Sequence, residues 1–178
     1  MKSTRTLTHI ALMTTLIVVL GFMPAIPLGF IPVPIVLQNM GIMMVAMLLG
    51  GRKGSLAVLL FLLIGLLVPV FTGGSTTISV MVGPTAGYVV AWLVVPLAYS
   101  GLKGLLGKEN FPLTFINIFL AGVVLVDVLG AVYLSYYTEA PLVEMLLSNL
   151  IFIPGDTIKA IVATVISSRL LKLPYFKD

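Results

Sequence analysis

Between residues 7 and 172 the chain is a succession of long apolar runs, broken only by short clusters of proline, glycine or charge. Crossing ~30 Å of hydrocarbon takes about 20 residues per helix, and the runs approach that length. Charged residues make up 9% of the chain and apolar ones 60%, with a mean hydropathy of +1.20. A soluble domain is about a quarter charged, so water is not the main solvent here. Disorder and a nucleic-acid-binding module are thereby excluded, and the lack of cysteine excludes a disulfide scaffold. Six spans would use roughly 120 residues. Within 178 residues that leaves short loops and no soluble domain, so 1–178 reads as one membrane domain.

Residues 7–23 form the first run, behind a polar head with Lys2 and Arg5. A cleaved leader would start the same way, but no small-x-small cleavage site follows and further spans do. Four prolines and Gly29 interrupt residues 24–34, which cannot be continuous helix. Apolar character returns over 35–49, ends at Gly50-Gly51-Arg52-Lys53, and returns again over 56–70. Residues 71–84 are rich in Gly, Ser and Thr and read as a loop. The fourth helix is expected over 85–106, bent at Pro96, and a polar turn over 107–112. The fifth is expected over 113–137. A short helix or re-entrant piece over 142–152 then precedes a sixth span from Pro154 to Lys172, because proline suits a first helical turn.

With six spans and the N-terminus inside, nine basic residues share the cytoplasmic side: Lys2, Arg5, Arg52, Lys53, Lys103, Lys108, Arg169, Lys172 and Lys177. The opposite loops hold no Lys or Arg. A five-span arrangement would scatter these charges over both sides. The expected fold is therefore an all-α integral membrane protein of six transmembrane helices, with structured outer loops and both termini cytoplasmic.

The tenth basic residue, Lys159, falls inside the last span. A charge there costs about 2.5–3.5 kcal/mol on insertion scales and usually faces a cavity or partner. Asp156 lies three residues earlier, on the same helix face. The pair either neutralises itself or meets a ligand near the outer surface, where the helix N-terminus adds positive potential. Loops 24–34 and 71–84 carry no charge, and irregular backbone at membrane depth is tolerated where it lines a cavity. Gln38, Asn39, Thr72, Ser75, Thr76, Thr77, Thr85 and Tyr88 could line such a site opposite Lys159. As a set they fit a small, partly apolar ligand with a few hydrogen-bonding edges. Asp127 is also within a span, as a packing residue or a ligand contact. His9 has no metal-ligand companion, and the methionines and the single Trp92 read as packing or lipid contacts. No Walker A run, H-E-x-x-H or G-x-S-x-G occurs, so no metal, cofactor or catalytic constellation is expected.

Several stretches together resemble the BioY family of biotin transporters. They are Val33-Pro34-Ile35-Val36-Leu37-Gln38, Leu49-Gly50-Gly51-Arg52-Lys53-Gly54, Pro69-Val70-Phe71, G-P-T-x-G-Y from Gly83 to Tyr88, and F-I-P-G-D-x-x-K from Phe152 to Lys159. The resemblance implies the substrate-binding S-component of an energy-coupling-factor (ECF) transporter. Such a subunit has six spans and works with a transmembrane coupling protein and two ATPase subunits, which alone bind ATP. Position by position it implies site roles for Asp156, Lys159, Tyr88 and Gln38. Val36 stands where the family pattern commonly has Thr, and Ala86 where it commonly has Gly.

Biotin suits the residues. Its ureido ring offers N–H donors and a carbonyl, its thiophane is apolar, and its tail ends in a carboxylate. Lys159 is expected to pair with the carboxylate or a polar edge, and Asp156 to accept from ureido N–H groups. Phe71 and Tyr88 would give flat apolar surface. Rival readings are an S-component for another vitamin, a carrier acting without the ATPase module, a membrane enzyme built on Asp127, Asp156 and Lys159, and a structural scaffold.

Overall fold

The computed structural model describes residues 2–106 and 110–175. The side chain of Lys2, together with Lys108 and Lys177, lies outside the described residues, as do residues 107–109 of the turn expected over 107–112, whose last two residues are helical. Among the described residues the regular structure is helical apart from two isolated antiparallel bridges in the loops. Helix α1 is Lys2–Gly21, α2 Gln38–Leu49, α3 Gly51–Ile64, α4 Thr77–Met81 and α5 Ala86–Leu106. Helices α6 (Phe111–Phe119) and α7 (Leu125–Thr138) join through a π-helical turn, Leu120–Val124. Two more follow, α8 (Leu142–Asn149) and α9 (Phe152–Leu170).

Helix α2 is the axis of the bundle. It is apolar nearly all round, with Ile42, Met43, Val45 and Ala46 fully buried, as expected of a helix enclosed by others. Helices α1, α3, α5 and α9 pack around it. Thr14 Oγ1 donates to Ala57 O at 3.0 Å, pinning α1 to α3. Helix α5 runs through Pro96 because Gly54 of α3 leaves space: a Cβ there would sit 2.7 Å from the proline ring. The outward faces carry Leu12, Leu56, Leu63, Val94, Leu97 and Val132, all exposed. Apolar surface on that scale belongs against lipid.

Three helical stretches, Thr4–Gly21, Ala86–Leu105 and Phe111–Thr138, are long and apolar enough to cross a membrane. A bent pair, α8 with α9, qualifies together across a 49° break. Helices α2 and α3 hold 12 and 14 residues, roughly 18 and 21 Å at 1.5 Å per residue, and fall short alone.

The structure corrects four boundaries. Helix α3 starts at Gly51 and stops at Ile64, not 56–70, so Arg52 and Lys53 lie in its first turn. Gly50, with φ of 71°, makes the whole break between α2 and α3, and Gly65 ends α3 beneath Thr77. The 71–84 loop contains helix α4, capped by Thr76 Oγ1 accepting from Ser79 N. Helix α2 begins at Gln38 rather than 35, and α9 begins at Phe152, two residues before Pro154.

The charge arrangement follows from antiparallel packing. Gly21 at the end of α1 meets Gln38 at the start of α2, so the start of α1 lies beside the end of α2. Arg5 donates to Pro174 O and Tyr175 O, and Gly51 packs on Ser100. Arg5, Arg52, Lys53, Lys103, Arg169 and Lys172 therefore gather at one end of the bundle.

Candidate functional site

At the opposite end the starts of α2, α5 and α9 converge on a cavity of about 290 Å³. Two loops roof it. In the first, Ile26 and Ile35 exchange both backbone hydrogen bonds at 3.0 Å, making a neck that closes the intervening residues. Ile31 and Val33 of that closed segment are buried, while Pro32, Val33 and Pro34 face the cavity. In the second loop, Phe71 N donates to Ser75 O at 3.1 Å, and Gly73 and Gly74 turn the chain at φ of 80° and 75°. That left-handed geometry favours glycine. It brings Phe71, Thr72 and Ser75 to the cavity.

Gln38 holds the second loop. Its Nε2 donates to Ile17 O at 3.2 Å and Val70 O at 3.0 Å; its Oε1 accepts from Thr72 N and Thr72 Oγ1, both at 3.3 Å. One buried side chain thereby joins α1, α2 and the loop. Gln38 borders the cavity, and both ends of its amide are engaged within the protein.

The polar end lies between α2, α7 and α9. Lys159 Nζ forms an ion pair with Asp156 Oδ1 and donates to Val36 O at 2.8 Å. Asp156 Oδ2 accepts from Asn39 Nδ2 at 3.3 Å, and Asn39 Nδ2 also donates to Gly122 O at 3.2 Å. Both neighbours of that nitrogen are acceptors, so the amide orientation is fixed. Gly122 belongs to the π turn, where a widened hydrogen-bond register frees backbone for other partners.

The apolar walls are aromatic. Phe71 stacks on Trp92 with centroids 6.3 Å apart and planes 14° from parallel. Tyr88 meets Phe152 edge-on at 6.1 Å. Its ring lies flat on Gly130, where a Cβ would come within 2.2 Å. Tyr88 Oη donates to Asn149 Oδ1 at 2.8 Å, and Asn149 Nδ2 donates to Asp127 O at 2.8 Å. The last residue of α8 thus anchors the tyrosine.

Of the residues singled out from the sequence, Gln38, Asn39, Phe71, Ser75, Thr85, Tyr88, Asp156 and Lys159 border this cavity. Thr72 and Asp127 join them. Thr76 and Thr77 do not. Thr76 caps α4, and Thr77 Oγ1 donates to Leu62 O at 2.7 Å. Trp92, expected to be packing or lipid contact, is a cavity wall. Asn149 escaped sequence reasoning, as no motif or charge marks it.

Comparison with known proteins identifies the family. The model of the BioY family matches residues 1–174. The chain belongs to the BioY family. Relatives in it include the biotin transporter BioY of Lactococcus lactis subsp. cremoris, 47% identical over 175 residues covering 96% of this chain and 93% of that one. The biotin transporter BioY of Rhizobium etli is 36% identical over 179 residues, 95% of this chain and 94% of the other. Among solved structures, the S-component for biotin from an ECF-type ABC transporter superposes with a TM-score of 0.92 at 45% identity, covering 99% of this chain and 97% of that one. BioY membership and the apolar exterior make this a multi-pass membrane protein.

Proposed function

We propose that the chain is the biotin-binding S-component of an ATP-driven ECF-type uptake transporter, a single membrane domain spanning 1–178. The observation that carries this is the loop-roofed cavity at the bundle end opposite the basic residues, with Lys159, Asp156 and Asn39 at its polar end and aromatic walls. Its volume of about 290 Å³ suits a small vitamin. A relative at 45% identity that is an S-component for biotin supports the choice of ligand. The chain crosses the membrane six times, with α2 and α3 as its short spans. Both termini are cytoplasmic, and the cavity opens outward. Its partners are a transmembrane coupling protein and two ATPase subunits. These bind ATP; the chain itself uses no cofactor or metal and catalyses no reaction.

The ion pair decides how the ligand lies. Lys159 and Asp156 touch each other, so they meet the same end of biotin. An end that also carries Asn39 Oδ1 and Asp127 repels a carboxylate and suits the ureido ring, with its carbonyl toward the ammonium. The thiophane packs between Phe71, Tyr88 and Trp92. The tail carboxylate lies toward Ser75, Ser79 and Thr85, where the N-terminus of α5 adds positive potential.

Calorimetric titration of biotin into the detergent-purified protein tests this. Lys159→Ala and Asp156→Asn are each expected to weaken binding at least about tenfold, since each leaves a buried charged or polar partner unmet. Unchanged affinity in both variants would overturn the site. Uptake of labelled biotin by vesicles carrying the chain alone, against vesicles that also carry the ATPase module, separates a subunit from a self-sufficient carrier.

A further inference from the structure

Helix α8 buries a single residue, and that residue is polar. Asn149 is 3% exposed, while Leu142, Val143 and Leu147 of the same helix are exposed. A helix placed there for packing would turn one of its leucines inward. Burying an amide costs free energy unless its ends are bonded, and polar side chains inside a membrane protein are usually functional.

Both ends of this amide are bonded. Nδ2 donates to Asp127 O at 2.8 Å; that carbonyl can only accept, so the nitrogen must face it. Oδ1 is left for Tyr88, whose hydroxyl must then donate, also at 2.8 Å. The hydroxyl proton is thereby committed within the protein, and Tyr88 offers the cavity its ring rather than a hydrogen-bond donor. Asn149 itself does not border the cavity. The 49° break between α8 and α9 brings Phe152 edge-on against the same ring, and Gly130 of α7 lies beneath it. Asn149 therefore joins the tip of the ring to the backbone of the helix on which the ring rests.

We propose that Asn149 is a positioning residue for the ligand site: it fixes the Tyr88 ring as a preset cavity wall and acts on ligand binding only through that ring. This rests on the biotin reading and deepens it. Without the amide link, the ring must be ordered anew each time ligand binds. Ordering one such side chain weakens affinity about threefold to tenfold.

The test is a double-mutant cycle read by calorimetric titration of biotin into the full chain in detergent, with each variant's thermal midpoint measured alongside. Asn149→Leu roughly keeps the volume and removes both bonds; Tyr88→Phe keeps the ring and removes the hydroxyl. Each is expected to weaken biotin binding about threefold to tenfold, and the double variant no more than either alone, because both remove the same link. If Asn149→Leu does not purify folded, Asn149→Ser, too short to span both groups, takes its place in the cycle. A lower midpoint with wild-type affinity would make Asn149 a packing residue and overturn the assignment. Losses that multiply in the double variant would overturn it too, since Asn149 and Tyr88 would then act on the ligand separately. A wild-type chain that does not bind biotin overturns the biotin reading, and this assignment with it, before any variant is made.

Discussion

Gln38 is 1% exposed, yet its side chain hydrogen-bonds at both ends, to α1, to Val70 and to Thr72. Replacing it by alanine strands several buried backbone groups, each worth about 1–3 kcal/mol. Gln38→Ala is therefore expected to lower stability by at least about 2 kcal/mol, read as a fall in the thermal midpoint in detergent. Gln38→Glu should fare no better, because a carboxylate would face the carbonyls of Ile17 and Val70. Residues like these differ in how readable they are. Lys159 and Asp156 stand out in sequence because a charge inside an apolar run is costly there. Gln38 is equally visible, but only the fold tells that its amide points inward to the protein. Asn149 is invisible beforehand: an asparagine at a helix end usually caps, and its link to Tyr88 crosses 61 positions.

Among the elements, the helices with uniform apolar runs, α1, α5 and the α6–α7 pair, were legible to within a few residues. Helix α3 was not, since glycine and arginine in Gly50-Gly51-Arg52-Lys53-Gly54 look like a loop. Tight packing of Gly51 on Ser100 and of Gly54 on Pro96 turns those glycines into contact points of a helix. Its first turn carries two cations, against a helix dipole preference of about 0.3–1 kcal/mol. With this end cytoplasmic, as proposed above, the positive-inside preference would supply the reason they stay there. The π turn was unreadable as well, because five apolar residues fit a π and an α register alike. Glycine packing gives a direct test at this scale. Gly130→Ala places a methyl group 2.2 Å from the Tyr88 ring and should push that ring off the cavity wall. Titration is expected to show at least tenfold weaker biotin binding, about 1.4 kcal/mol. Gly104→Ala, with nothing within 4 Å in the same membrane protein, should bind normally and gain about 0.5–1 kcal/mol of helix stability.

For the whole molecule, sidedness is the property on which uptake depends. The gathering of six basic residues at one end was foreshadowed by charge counting, and the cavity at the other by the Asp156–Lys159 pair and the uncharged loops. How many helices reach across was harder to read: apolar runs set the number of segments, but neighbouring packing cut α2 and α3 short. The chain has no cysteine, so single cysteines report without interference. Glu144→Cys, on exposed α8, is expected to react with an impermeant maleimide in intact cells. Lys53→Cys is expected to react only after permeabilisation. The reverse pattern would invert the topology and place the cavity inside.

Trp92 adds one practical consequence. It is the chain's single tryptophan, buried in the cavity wall against Phe71. Indole emission from this protein therefore originates at one place, beside whatever occupies the cavity. The molecule carries its own optical reporter: a change in colour or brightness on adding a ligand reads occupancy directly, with no dye attached and no background from a second indole.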